Sequence, residues 1–226
     1  ISLFAGSIAQ AALPSLSIEY HAKRGEQFKK LFVTSLHQIL FLVLPAAAIL
    51  AVLRIPVVRL TFGAKEFPWE TTVLTGRVLI AFALGIVSQS VTLLLIRAFH
   101  ATGDSYTPVK TSVASIAINI ALSLFFILTL KLSIIFLAVS YSISNILNAT
   151  LLLILLHKKI NFNKTELILP IIKMTAISAI TAISLYIPLK VLDQLVFDTT
   201  KTLGLILLTG VATIVGLGVY GFLSWK

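Results

Sequence analysis

One guanidinium and three amides stand where so apolar a chain has little room for them. Arg77 lies in TGRVLIAF, Asn119 in AINIAL, and Asn145 and Asn148 in SNILNA, each inside or near the edge of a long hydrocarbon-like run. Polar groups at such positions either hydrogen-bond a partner helix or line a water-filled cavity. In a cavity, a cation suits a phosphate or diphosphate, while amides suit sugar or peptide groups. Arg77 and Lys173 are also long enough to snorkel to the interface, so for those two both readings stand. Asn145 and Asn148 are three residues apart and share a helix face, with Ser140, Tyr141 and Ser144 on or near it. The outcome is a polar stripe down an otherwise apolar helix.

A second cluster fills the gap RAFHATGDSYTPVK, residues 97–110. Arg97 and Lys110 are placed to anchor two helix ends near lipid headgroups. Gly103 suits a turn at positive φ, and Pro108 can occupy the first turn of the next helix without losing a bond. Asp104 and Lys110 are expected to hold this loop. Pro45, in FLVLPAAAIL, interrupts another apolar run; it removes one backbone hydrogen bond and is expected to kink its helix, either as a fixed bend or as a flexing point.

Other chemistries find no residues. All eight acidic side chains fall in loops or at the ends of apolar runs, so no intramembrane carboxylate is offered of the kind that ion-coupled pumps use. With no cysteine, there is no disulfide, thiolate metal site or thiol nucleophile. His21, His37, His100 and His157 lack metal-ligand spacing, and no Asp pair or Ser/His couple suggests an enzyme. Neither a metal nor a cofactor is expected. The net charge of +10 fits insertion topology and anionic lipid rather than nucleic acid.

The elements that must position these residues follow from hydropathy. Of the 226 residues, 58% are hydrophobic and 12% charged, and the mean hydropathy is +1.04. Soluble domains carry about a quarter charged residues, so the bilayer is the solvent that fits. Runs near the ~20 residues that cross the hydrocarbon core predict six complete spans, at about 31–53, 74–96, 111–130, 132–156, 167–189 and 203–223. The opening residues, which lack the basic start of a signal peptide, read as the end of a seventh, cut from a longer protein. The predicted fold class is all-α and integral to the membrane, because backbone groups in lipid must be satisfied within each segment. Eleven of the eighteen Lys and Arg, including every long basic cluster, fall on the side of residues 97–110. The positive-inside rule makes that side cytoplasmic.

The wording of these segments adds a resemblance. RAFHATGDSYTPVK resembles the RAFYALGDTRTPV-type loop of the MurJ (MviN) family of lipid II flippases. In register with it, ALPSLS (12–17), FLVLPAAAIL (41–50), VVRLTFGAKEFPWETTVLTGRVLIAFALGI (57–86) and SYSISNILNATLLLILLHKK (140–159) resemble further segments of that family. The resemblance covers about residues 1–160; beyond that, only two more helices correspond. It implies a C-terminal portion of a fourteen-helix transporter of the MATE-like superfamily. Residues 1–17 would end a truncated helix, 18–160 would be C-lobe helices, and 161–226 two additional helices.

The implied substrate is lipid II, an undecaprenyl diphosphate carrying the peptidoglycan precursor, moved by alternating access across the bacterial cytoplasmic membrane. Its implied partners are the bilayer and the N-terminal lobe. The family's substrate-contacting arginines lie mainly in helices absent here. Where many members carry Asn-x-x-x-Asn, this chain has Asn119 followed by Ser123. Arg77, Asn119, Asn145 and Asn148 are the candidates for lining or gating the path. Alternatives are a flippase for another lipid-linked oligosaccharide, or a membrane scaffold that recruits cell-wall enzymes.

Overall fold

A chain with no water beside it must close its backbone hydrogen bonds within each segment, and helices do so. The computed structural model describes residues 1–62, 68–195 and 202–225. Lys65, Glu66, Asp198, Lys201 and Lys226, and the side chains of Lys190 and Asp193, fall outside the described set. The elements are α1 (Ser2–His21), α2 (Gly25–Val52), α3 (Arg54–Phe62), α4 (Trp69–Ala101) and α5 (Tyr106–Leu124). A π-helical turn, Phe125–Thr129, extends α5; then come α6 (Ile135–Ile160), α7 (Lys164–Leu195) and α8 (Thr202–Trp225). Among the described residues there is no strand. Among the described residues, six helices are long and apolar enough to cross a membrane: α2, α4, α5 with its π turn, α6, α7 and α8.

The packing centres on α4, which lies against α1, α2 and α6, while α5 packs mainly on α6 and α7 bridges α2 and α8. The buried faces repeat every three or four residues. Phe28, Phe32, Leu36 and Ile39 of α2 meet Leu94, Leu95 and Phe99 of α4 and Leu152 and Leu156 of α6 in one core. In α1, Ala5, Ala9, Ala12 and Leu16 form a face of mostly small side chains that lets α4 approach closely. The outer surface is the reverse of a soluble protein's: Leu3, Phe4, Val113, Ile116 and Ile120 point outward.

Two local features depart from the hydropathy reading. Residues 54–62, expected as loop, form the short helix α3, with Pro56 in its first turn where its missing N–H costs nothing. The fourth span was expected at 132–156. Instead α5 runs into the π turn, where Leu130 N–H bonds Phe125 O at 3.1 Å, and α6 begins only at Ile135. Lys131 between them adopts φ 49, and Phe126 stacks edge-on against Phe136 at 5.4 Å. Pro45 is buried within α2.

Candidate functional site

The serines of α6 decide how the helix presents itself. Ser140 and Ser144 are one turn apart and share a face, whereas Ser142 points away from both. All three are buried. Ser140 and Ser144 meet α5, where Ser115 Oγ donates to Ser144 O at 2.8 Å. Asn119 Oδ1 lies 3.2 Å from Ser123 Oγ and 3.3 Å from Ser140 Oγ, and the two hydroxyls are 2.6 Å apart. Ser142 and Tyr141 meet α4: Ser142 Oγ donates to Ala81 O, and Tyr141 OH to Gln89 Oε1 at 3.1 Å. Thus α6 carries an uncharged polar seam on both flanks, one toward each neighbour.

Within that seam most groups are satisfied by the protein itself. Asn145 Nδ2 donates back to Tyr141 O at 2.9 Å, one turn earlier in its own helix. Asn148, two turns after Tyr141 on the same face, is buried, and its Oδ1 has no hydrogen-bond partner. An amide oxygen left unpaired in so dry a place costs about 1–3 kcal/mol. It is the one fully buried side-chain atom of the seam without a partner among the described residues.

The cationic candidate lies elsewhere. Arg77 is exposed in the third turn of α4, with no hydrogen bond or ion pair among the described residues, and Lys173 in α7 is likewise exposed and unpaired. Neither joins the seam. Arg97, half-buried near the end of α4, makes no hydrogen bond among the described residues either.

The 97–110 loop is a built structure. α4 ends with Gly103 at φ 74; Gly103 N–H bonds His100 O at 2.9 Å and Asp104 N–H bonds Phe99 O at 3.0 Å, closing off the last carbonyls. Asp104 then starts α5: its Oδ1 accepts Thr107 N–H at 3.0 Å and its Oδ2 accepts Thr107 Oγ1 at 2.9 Å. Pro108 follows, buried in the first turn. Lys110 does not reach Asp104; it lies over the Tyr106 ring, 4.2 Å from its centroid. The cation that does reach it is Lys159 of α6, 3.4 Å from Oδ2, which also donates to Thr102 Oγ1 at 2.9 Å. The Thr107 N–H, more than any other partner, holds the Asp104 carboxyl below the usual carboxylate range. Burial opposes this, and the Thr107 hydroxyl and Lys159 add to it.

Sequence reasoning missed that clamp, because Lys159 is 55 positions from Asp104 and reads there as one of a basic pair. It also missed Gly85, where α4 packs tightly on Ser142 and Tyr141 of α6. An added Cβ would sit 2.7 Å from Ser142 Oγ and 2.9 Å from the Tyr141 ring. Among the described residues there is no group of His, Asp and Glu arranged for a metal. Chemically, the arrangement offers neutral donors and acceptors along a helix seam and a charged clamp at the α4–α5 turn.

Comparison with known proteins bears on the family and fold of the chain. The family described as "Lipid II flippase MurJ" matches residues 1–212. A "Probable lipid II flippase MurJ" of Rhizobium meliloti is 34% identical over 118 residues, covering 52% of this chain and 22% of that protein. Those of Rickettsia prowazekii and Thermotoga maritima are 28% and 31% identical, over 58% and 63% of this chain and 26% and 29% of theirs. The matched stretches therefore span less than a third of the length of these relatives. A solved structure, "Lipid II flippase MurJ, inward closed conformation", superposes with a TM-score of 0.78 at 23% identity, over 98% of this chain and 42% of that one. That likeness shows the fold.

Proposed function

The chain belongs to the lipid II flippase MurJ family, and we propose that it forms one part of a transporter that moves lipid II from the inner to the outer leaflet. It is a multi-pass protein of the bacterial cytoplasmic membrane. The observation that best supports the transport reading is that the family match runs unbroken through α4, α5 and α6, the helices that carry the polar seam. In this reading the work is movement, and no covalent bond is made or broken. Residues 18–160 belong to one lobe, 161–226 to two additional helices, and the opposing lobe lies upstream in the same protein. The lobes rock about the bundle while the diphosphate headgroup crosses between them and the lipid tail stays in the bilayer.

Asn148 offers its free carbonyl oxygen to a donor that arrives in one state of the cycle, and Asn119 and Asn145 hold the seam around it. Pro45, with its missing donor, gives α2 a point of flexure. The test is movement of labelled lipid II across vesicles that contain the natural full-length protein. Asn148→Leu keeps the volume and removes the unpaired oxygen. It is expected to raise thermal stability by about 1 kcal/mol while slowing transport about tenfold, the exchange common at functional sites. An unchanged rate removes Asn148 from the path, and wild-type protein that moves no lipid II refutes transport itself.

Arg77 tests the cationic part. With no partner among the described residues, Arg77→Gln loses no bond seen there, so expression and stability are expected to stay level. If Arg77 faces the path, transport falls severalfold and Arg77→Lys restores most of it; equal transport in all three places the side chain at the lipid interface.

A further inference from the structure

On the face away from the 97–110 loop, α3 packs on α4 and α8. Its two arginines, Arg54 and Arg59, line a cavity of about 240 Å³ together with Trp69 of α4, Tyr186 of α7, and Leu205 and Leu208 of α8. No carboxylate lines it among the described residues, and neither arginine is in an ion pair there. Arg54 Nη1 donates to Ala51 O at 3.1 Å; Arg59 makes no hydrogen bond within the described residues. Both are half-buried.

A guanidinium carries five N–H donors and a charge it cannot shed. Half-buried beside a cavity, with almost every donor unclaimed among the described residues, the pair is suited to an anionic acceptor that enters the cavity. A phosphate answers best, because the planar fork matches two of its oxygens at once. The rest of the cavity narrows the source. Leu205 and Leu208 are 2% and 1% exposed, so the floor is apolar. Trp69 and Tyr186 are largely exposed at the mouth, where such rings sit at headgroup level. The cavity is smaller than the ~300–1,000 Å³ typical of pockets for drug-sized molecules, so it suits a headgroup whose chains lie outside it. By the positive-inside count, this face is the outer one.

We propose that Arg54 and Arg59 bind the phosphate of an anionic phospholipid from the outer leaflet, pinning α3 across α4 and α8. The assignment goes beyond the transport reading and does not depend on it. It is tested by native mass spectrometry of the full-length protein in detergent, titrated with phosphatidylglycerol. Wild type is expected to retain one lipid at this site, Arg59→Gln to lower its occupancy about tenfold, and Arg54→Gln/Arg59→Gln to abolish it. Arg59→Lys keeps the charge without the fork and lowers occupancy severalfold, which also serves should the Gln variants fail to fold. Equal occupancy in wild type and Arg59→Lys overturns the assignment. So does an equal loss in Lys30→Gln, on the opposite face. Displacement of the lipid by inorganic phosphate at similar concentration assigns the site to the free anion and overturns the lipid.

Discussion

Gly85→Leu is expected to break the α4–α6 interface and leave little folded protein to purify. Even one added carbon at Gly85 would lie 2.7 Å from Ser142 Oγ and 2.9 and 3.0 Å from two carbons of the Tyr141 ring. Neither neighbour can yield freely. Ser142 Oγ is held by its bond to Ala81 O, and Tyr141 is fixed by Gln89 at its hydroxyl and by the Phe82 ring 5.2 Å away. Gly85→Ala gains about 1 kcal/mol of helix propensity but meets an overpacking cost of about 1–3 kcal/mol, so a net loss is expected. Leucine adds three more carbons and should cost more than ~3 kcal/mol, because α4 and α6 share the most extensive contact in the structure. Thermal unfolding followed by circular dichroism in detergent measures both. Ser142→Ala removes the nearest obstacle, so Gly85→Ala/Ser142→Ala should recover part of the loss. Additive losses would show that Ser142 is not what the added carbon meets.

The contrast between what could and could not be read from the residues is physical. Six spans were legible because each must be long and apolar to cross lipid, a property that sits within one segment. Gly103 was legible for the same reason: a turn at φ 74 favours a residue without a Cβ, and the neighbouring wording marks a helix end. The short helix α3 was not, since nine residues with two arginines carry no membrane-length signal and are fixed by packing on α4 and α8. The π turn was invisible because hydropathy is blind to which carbonyl an amide selects.

In the candidate site, the polar stripe of α6 could be predicted from the spacing of 140, 141, 144, 145 and 148. Which of those groups are already satisfied could not. Asn145 turns back to its own helix and Asn148 does not, and only the positions of α4 and α5 decide that. Lys110 stands closer to Asp104 in the chain, yet the helix puts its ammonium over Tyr106 and brings Lys159 from α6 instead.

Asp104→Ala is expected to cost about 2 kcal/mol, combining a lost helix cap with a small ion-pair contribution. The carboxylate performs two tasks with separate oxygens and partners. Capping α5 through Thr107 is local, whereas Lys159 ties the α4–α5 turn to the end of α6. Asp104→Asn separates them, because an amide oxygen still caps but no longer attracts the ammonium. The expected order of stability is therefore wild type, then Asn, then Ala. Lys159 in the Asn variant keeps its bond to Thr102 Oγ1, so the α6 end stays near the turn.

Acid supplies the same removal of charge without mutation. The folded-state pKa of Asp104 is lowered, chiefly by the Thr107 N–H. Its charge-dependent stabilisation is thus complete above the unfolded value of about 3.9 and is lost as pH falls through the lower folded value. The difference in unfolding temperature between wild type and Asp104→Asn should hold steady from neutrality to about pH 5 and close below about pH 4. The difference between wild type and Asp104→Ala should shrink over the same range without closing, since a protonated carboxyl still accepts from Thr107. A gap to Asn that persists undiminished at pH 3 would show that Lys159 does not sense the charge. The clamp would then be a helix cap alone, and the tie between the α4–α5 turn and α6 would rest on Thr102.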